Sequence, residues 1–154
     1  MTATTGFTSI GALLKMGDAA SPETFNEIGN TTNFTLTQSA DQIDATHLSS
    51  TSGYREFKQG YKSATVSFEG HFDPDNTTQG DTNGVIAAFN AGTARNFKAD
   101  FSAADNAGSG APTSEGVCSF SGVITEFTVN TPTGDMVTFT GTISMSSSPA
   151  WATT

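Results

Sequence analysis

Two histidines and a group of acidic residues are the side chains of this 154-residue chain with the most potential for chemistry. His47, His71 and Asp73 could in principle meet as metal ligands, but their spacing does not require it. The run Asp73-Pro-Asp75-Asn76 has the acids of a calcium loop, yet it lacks the later glycine and the bidentate glutamate. The first group is better explained as solvated surface side chains, and the second as an ordinary turn. The sequence therefore predicts no metal and no other cofactor.

The sequence signs of covalent or acid–base catalysis are no stronger than those of a metal site. The chain lacks the nucleophile elbow of a hydrolytic triad, and the glycine-rich stretch at 108–110 lacks the lysine and helix of a phosphate loop. A carboxylate pair leaves no sequence motif, but a sugar site needs exposed aromatic side chains and most phenylalanines here take the inward phase of strands. The only cysteine, Cys118, lies in a strand-like run and is interpreted as a buried thiol. We therefore predict that the protein is not an enzyme.

The charge balance narrows the possible partners. The formal net charge is −9 with a pI near 4.3, and the whole chain has six lysines and arginines. A surface that grips nucleic-acid phosphates depends on these cations, so tight nucleic-acid binding is not expected. An acidic protein can still lie beside DNA if it must not adhere to it. No apolar run approaches the ~20 residues of a membrane-spanning helix, and no secretory signal is recognised, so we expect no membrane partner and a cytoplasmic site of synthesis.

Alternating hydrophobicity predicts a mainly β fold, a β-sandwich or partly closed barrel with one short flanking helix. The clearest strand pattern places Val66 and Phe68 on one face and Ser67 and Glu69 on the other. The helix is expected to begin at Asp81 or Thr82 and to end at Gly92. Predicted strands cover 10–16, 25–37 with a break at 29–30, 43–48, 63–72, 95–102, 116–130 with a bulge at 122, and 136–146.

The predicted domain organisation has one folded unit with polar ends. Residues 1–9 are expected to be a flexible arm, 10–146 a single β domain and 147–154 a C-terminal tail. The segment 38–42 is predicted to be a connection and 103–115 a surface loop, because breakers and small residues dominate it.

A loop at 49–61 has the composition of a contact surface. It combines aromatic side chains with both charges between two strands, a mixture typical of protein interfaces. Its predicted contact residues are Tyr54, Arg55, Glu56, Phe57, Lys58 and Tyr61. The alternative is that Tyr54 and Phe57 fold back onto their own core.

The order of these features resembles the tail tube protein (major tail protein) of long-tailed bacteriophages and of related gene transfer particles. The resemblance rests on IDATHLSSTSGYREFKQGYKSATVSFEGHFDPDN, the helix GVIAAFNAG, the strand RNFKADF, and the closing strands CSFSGVITEFTV and DMVTFTGTISM. It implies a structural virion protein whose hexameric rings stack into a hollow tube. The resemblance further implies that double-stranded DNA passes through the tube without specific binding.

The resemblance also implies a location and partners. The protein is expected in the virion tail, assembled in the host bacterial cytoplasm, with tape measure, terminator and distal tail proteins as neighbours. Because the alternate strand faces carry residues that must be buried, the polar faces are the candidates for the lumen wall. These lumen-facing candidates are Thr65, Ser67, Glu69, Thr138, Thr140 and Thr142. Either strand could instead lie in an outer sheet, with its polar face in bulk solvent.

Two other interpretations remain open at this point. One is an acidic β-sandwich binding module, either a phage decoration protein or a glycan-binding adhesin. The other is a tail terminator or baseplate ring protein. Only a tube protein is expected to polymerise end to end, so assembly distinguishes the three.

Overall fold

The described part of the chain forms eight strands and one short helix. A computed structural model describes residues 12–48, 53–80, 83–101 and 116–152. In chain order the elements are β1 (Leu13–Gly17), β2 (Phe25–Glu27), β3 (Thr31–Asp44), β4 (Phe57–His71), α1 (Val85–Ala91), β5 (Arg95–Asp100), β6 (Val117–Asn130), β7 (Thr138–Met145) and β8 (Ala150–Ala152). The prediction of a mainly β fold with one short helix is confirmed.

All the strands belong to a single antiparallel sheet in the order β2-β1-β5-β6-β7-β4-β3. β8 pairs with the first part of β6, so Trp151 lies opposite Cys118. The sheet curls until its two ends approach each other, and the rings of Phe34 on β3 and Phe101 after β5 lie 5.7 Å apart. β1 and β3 do not pair, so the sheet is not closed into a barrel.

The core lies on the concave face of this curled sheet. Alternate side chains of six strands point into it, and α1 adds Val85 and Ala88 from its buried side. Burial of such apolar surface is the main favourable contribution to folding. The largest of the fully buried side chains are Phe97, Phe139, Leu14, Ile28 and Ile143.

The phase change in β6 occurs at Thr125 and not at Gly122, where it was predicted. Ile124 pairs with Ile143 and Glu126 pairs with Thr142, which leaves Thr125 as the extra residue. A Cβ at Gly122 would lie 2.7 Å from the side chain of Ile143. Gly122 is therefore a position of close approach inside the regular part of the strand, and a glycine in a strand pattern is typical of close approach as well as of a bulge.

Several element boundaries differ from the prediction. The break at 29–30 is confirmed, with Asn30 in the left-handed region at φ 58°. The predicted connection 38–42 belongs instead to β3, whereas 45–48 is not a strand. The helix ends at Gly92 as predicted, and Gly84 precedes its first turn. Part of the predicted tail forms β8, while the proposed cap at 81–82, the loop 103–115 and the arm 1–9 lie outside the described residues.

Candidate functional site

The most prominent feature of the surface is a ribbon formed by the ends of β3 and β4. β4 pairs with β7 only from Thr65 to His71, whereas its pairing with β3 continues back to Phe57. The segments 38–48 and 53–64, called the ribbon here, therefore extend beyond the rest of the sheet. A two-stranded hairpin is marginally stable by itself in water, so such an extension is expected to gain from contact with another surface.

The structure corrects the prediction of a loop over 49–61. Phe57, Lys58 and Tyr61 lie on β4, because its first residues pair with the end of β3. Tyr54, Arg55 and Glu56 lie before the strand, at the ribbon tip, and 49–52 lie outside the described residues. The polar composition of 38–44 concealed this pairing, since the segment has almost no buried side chains that would show a strand alternation.

A bulge shifts the pairing in the middle of the ribbon. Ala40 pairs with Lys62, but Gln42 pairs with Gln59, so β4 contains one more residue than β3 over this interval. Gly60 lies in the bulge, and a Cβ there would be 3.0 Å from the side chain of Ile43. Because Gly60 has no side chain, it leaves room for the Ile43 side chain beside the bulge. Bulges of this kind increase the local strand twist.

Hydrogen bonds order the tip of the ribbon. The backbone N–H of Glu56 donates to the hydroxyl of Thr46 at 2.9 Å, and the N–H of Ala45 donates to the carbonyl of Glu56 at 2.8 Å. The Thr46 side chain and N–H hydrogen-bond to Asp44 and lower the pKa of its carboxyl. A guanidinium nitrogen of Arg55 lies 3.7 Å from the Asp44 carboxylate, so this arginine already has an acidic neighbour within its own chain.

The ribbon exposes most of the large apolar side chains found on the described surface. Tyr54 is 80% exposed and Tyr61 is 90% exposed, so neither covers the core of its own chain. Two further members, Ile43 and Leu48, were not among the predicted contact residues, although an isolated isoleucine in the polar run 37–44 was a visible signal. Five of the nine exposed large hydrophobic residues among those described belong to the ribbon: Ile43, Leu48, Tyr54, Phe57 and Tyr61.

The six candidate lumen residues lie together on the convex face of the sheet. Ser67 is paired with Thr142 and Glu69 with Thr140 on the neighbouring strand. Thr65 and Thr138 lie in the adjacent rows, so β4 and β7 present one polar surface, called the polar face here. Thr35 on one side and Glu126 on the other extend it across β3 and β6.

Hydroxyls, amides and carboxylates make up the polar face. The side-chain amide of Asn33 donates to the Glu69 carboxylate at 3.3 Å. Glu69 and Glu126 line the same shallow depression of about 260 Å³. Where β4 pairs with β7, from Thr65 to His71, and in the adjoining rows of β3 and β6, the face has no lysine or arginine, so its fixed charge is negative.

The cations outside the ribbon are engaged within the chain. Lys15 forms an ion pair with Asp100 at 2.8 Å, and the Lys98 ammonium lies 4.1 Å above the ring of Phe25. Arg95 donates to the carbonyl of Gly17 at 3.1 Å. The other three cations of the chain, Arg55, Lys58 and Lys62, all lie in the ribbon.

The described residues contain no group of three or more His, Cys, Asp and Glu side chains placed to hold a metal ion. Asp73 instead accepts the N–H of Asp75 at 3.1 Å, an arrangement of turns. Over the same part of the chain, no helix has the length and apolar character needed to cross a membrane.

Several solved structures of tail particles resemble this chain. No curated protein matches the chain. Two solved structures match with a TM-score of 0.72 over 98% of this chain and 100% of theirs: the tail of an empty gene transfer agent (GTA) particle with C6 symmetry, at 20% identity, and the virion of a native GTA particle, at 19% identity. The SPP1 tail tube matches at 8% identity with a TM-score of 0.69, over 91% of this chain and 76% of that one.

At these identities the structural matches establish a shared fold. The sequence match is more specific, because the pattern described as phage tail tube protein extends over residues 7–150. It covers the ribbon, the polar face and the strands β1 to β7. The chain therefore belongs to the phage tail tube protein family.

Proposed function

We propose that copies of this chain assemble into hexameric rings and that the rings stack into the tail tube of a phage or gene transfer particle. The observation that carries the proposal is the ribbon, which projects from the sheet with five exposed apolar side chains. Family membership and the similarity to GTA tails, one of them with C6 symmetry, support this assembly. The role is structural, and no catalytic step is assigned to the protein.

The ribbon is the proposed contact between copies. Tyr54 and Phe57 serve as apolar anchors, and aromatic side chains at the centre of interfaces commonly contribute ~2 kcal/mol or more each. Lys58 is exposed and has no hydrogen-bond or ion-pair partner among the described residues, so it is available to a carboxylate of a neighbouring copy. Arg55 and Glu56 order the tip and can add further polar contacts around the apolar anchors. Tyr61 adds apolar area at the bulge.

The polar face is the proposed wall of the channel. Glu69 and Glu126 give it negative charge, and the hydroxyls of β4 and β7 can hold water against passing DNA. Without lysine or arginine on this face, the wall would offer no clamp for phosphates, and like charges would keep double-stranded DNA from adhering.

The proposed setting is the tail of the particle. Tape measure, terminator and distal tail proteins would contact the inside and the ends of the tube. Assembly is proposed to take place in the host bacterial cytoplasm.

Negative-stain electron microscopy of concentrated protein, with light scattering over a concentration series, tests the assembly. We expect rings or tubes whose mass grows with concentration. A stable ring that never stacks would indicate a terminator-like or baseplate-like role. A monomer at the highest concentration, also when pre-formed tube fragments are added as seeds, would contradict the proposal.

A further inference from the structure

A groove of about 500 Å³ with one apolar wall marks the place where the sheet fails to close. It lies between β1 and the first half of β3, at the mouth of the core, and is called the mouth groove here. Its apolar wall includes Leu13, Phe34, Leu36, Phe101 and Trp151, and Glu27, Asn33 and three threonines line the polar remainder.

Trp151 is the most exposed part of this wall. Its pairing with Cys118 places it on the core face of the sheet, and its ring stacks on Phe101 with centroids 6.3 Å apart and planes 12° apart. Nevertheless, 48% of the tryptophan remains exposed. Covering this ring would remove apolar surface from water, so the groove is suited to an apolar side chain from elsewhere.

We propose that the mouth groove of one copy receives the ribbon tip of a second copy, with Tyr54 and Phe57 as the inserted side chains. This inference rests on the proposed assembly and names the two surfaces that meet in it. The tip has exposed aromatic side chains, and the groove has a tryptophan that the described residues cover only by about half. Binding sites for small organic groups commonly have volumes of about 300–1,000 Å³, so the groove can take aromatic side chains.

The tip of a chain cannot reach the groove of the same chain. β3 lines the groove with its residues 31–36 and then runs without a break to Asp44 at the ribbon tip. At about 3.4 Å per residue, the strand carries its end roughly 27 Å beyond Leu36. Because a paired strand does not fold back on itself, a ribbon tip in this groove must belong to another copy.

The charges of the two surfaces are complementary. Glu27 is exposed and lines the groove, and it has no ion-pair partner among the described residues. The Lys15 ammonium on the adjacent strand is already paired with Asp100. Lys58 on the ribbon lies one residue from Phe57, so an inserted tip would bring a cation to the rim that carries Glu27.

The contact joins two different surfaces of the same molecule. Each copy then offers one tip and one groove, so pairing does not end at a dimer but continues to a closed ring or an open stack. This is the geometry that a tube subunit requires.

Trp151 is the only tryptophan of the chain, so its fluorescence reports on the groove directly. The test mixes two variants: Tyr54→Ala, which keeps the tryptophan but has a weakened tip, and Trp151→Phe, which keeps the tip but emits no tryptophan fluorescence. On mixing we expect the emission to shift to shorter wavelength and acrylamide quenching to decrease. When the second variant also carries Tyr54→Ala and Phe57→Ala, neither change is expected.

The possible outcomes separate this inference from the proposed assembly. If wild-type protein forms no rings or tubes, the assembly itself fails and this contact fails with it. If wild-type protein assembles but the mixture does not associate, or associates without a change in Trp151 emission, the groove is not the receptor. If the emission shifts even with the doubly truncated tip, another segment such as residues 1–11 fills the groove, and the inference is overturned.

Discussion

The side-chain amide nitrogen of Gln79 lies 2.6 Å from the carbonyl oxygen of Gly29 and donates a hydrogen bond to it. Gln79 is fully buried, and its amide also donates to the carbonyl of His71 at 3.0 Å and accepts the N–H of Asp73 at 2.8 Å. One side chain thus joins the turn before β3, the end of β4 and the turn before α1. Because Gln79 is fully buried, these contacts lie away from the surface.

Gln79→Leu should therefore destabilise the fold strongly. Leucine has a similar volume but leaves two carbonyls and one N–H without their partner, and we expect a loss of about 2–4 kcal/mol. Urea denaturation of the monomer measures this change. Gln38→Leu, at an exposed position of the ribbon, is the matched control and should change stability by less than ~0.5 kcal/mol. Equal effects of the two substitutions would contradict the role of Gln79.

Gly141→Ala should destabilise the sheet by overpacking. Gly141 lies opposite Phe68 on the neighbouring strand, and a Cβ at residue 141 would lie 2.4 Å from the end of the Phe68 ring. We expect a loss of about 1–3 kcal/mol. In a double-mutant cycle, Phe68→Leu should cost less in the Gly141→Ala background than alone, because it opens space for the methyl group. Additive losses would show that the ring does not limit this position.

Tyr54→Ala and Arg55→Ala should block tube growth and leave the monomer folded. Tyr54 is exposed and contributes little to its own core, whereas Arg55 orders the tip through Asp44. Circular dichroism and thermal unfolding check the fold, and electron microscopy checks assembly. Met136→Ala is the control, because Met136 is also an exposed apolar residue but lies outside the ribbon. If both ribbon variants still form tubes, the ribbon is not the contact.

Asp18 gives a pH dependence of stability with a definite sign. Its carboxylate accepts the N–H groups of Ala20 at 2.9 Å and Thr24 at 3.1 Å, which lowers its pKa below the usual 3.8. The stabilisation is complete above the usual pKa and is lost as the pH falls through the lowered value. The stability difference between wild type and Asp18→Ala, measured by urea denaturation, should therefore shrink in acid. A difference that stays constant below pH ~3 would contradict this.

Strand phase was predictable from the sequence where one face is buried and the other is not. Val66, Phe68, Phe139 and Ile143 identified the core face, and the six polar candidates of β4 and β7 do lie together on the opposite face. The alternation decides which side of the sheet a residue takes. It cannot decide which strands become neighbours, and so the neighbours Thr35 and Glu126 were not foreseen.

The ribbon and the mouth groove could not be predicted from the sequence, for a physical reason. Residues 38–44 are exposed on both faces, so their strand has no apolar alternation, and only pairing with β4 reveals it. Trp151 lies among small polar residues, and its position opposite Cys118 joins segments more than thirty residues apart in the chain. The sequence could not distinguish the two roles of Gly122, because close packing and a bulge both select glycine.

Thiol labelling of the polar face tests the lumen assignment. Ser67→Cys places a thiol on the exposed part of this face, and Phe89→Cys places one on the exposed side of α1, which packs on the concave side of the sheet. The native Cys118 should stay silent in both variants, because it is fully buried and burial raises its thiol pKa. Before assembly, both new thiols should react with a small maleimide and with one carrying a long polyethylene glycol chain.

After assembly, the two positions should differ if the polar face lines the channel. The thiol at 67 should keep its reaction with the small reagent, which can diffuse along the lumen, and lose its reaction with the bulky one, which is excluded from a narrow tube. The thiol at 89 is the control for burial between subunits. A thiol buried in such an interface would lose its reaction with both reagents together, not with the bulky one alone. If the thiol at 67 still reacts fully with the bulky reagent in intact tubes, the polar face lies on the outside. The negative charge of Glu69 and Glu126 would then have no part in keeping DNA free to move.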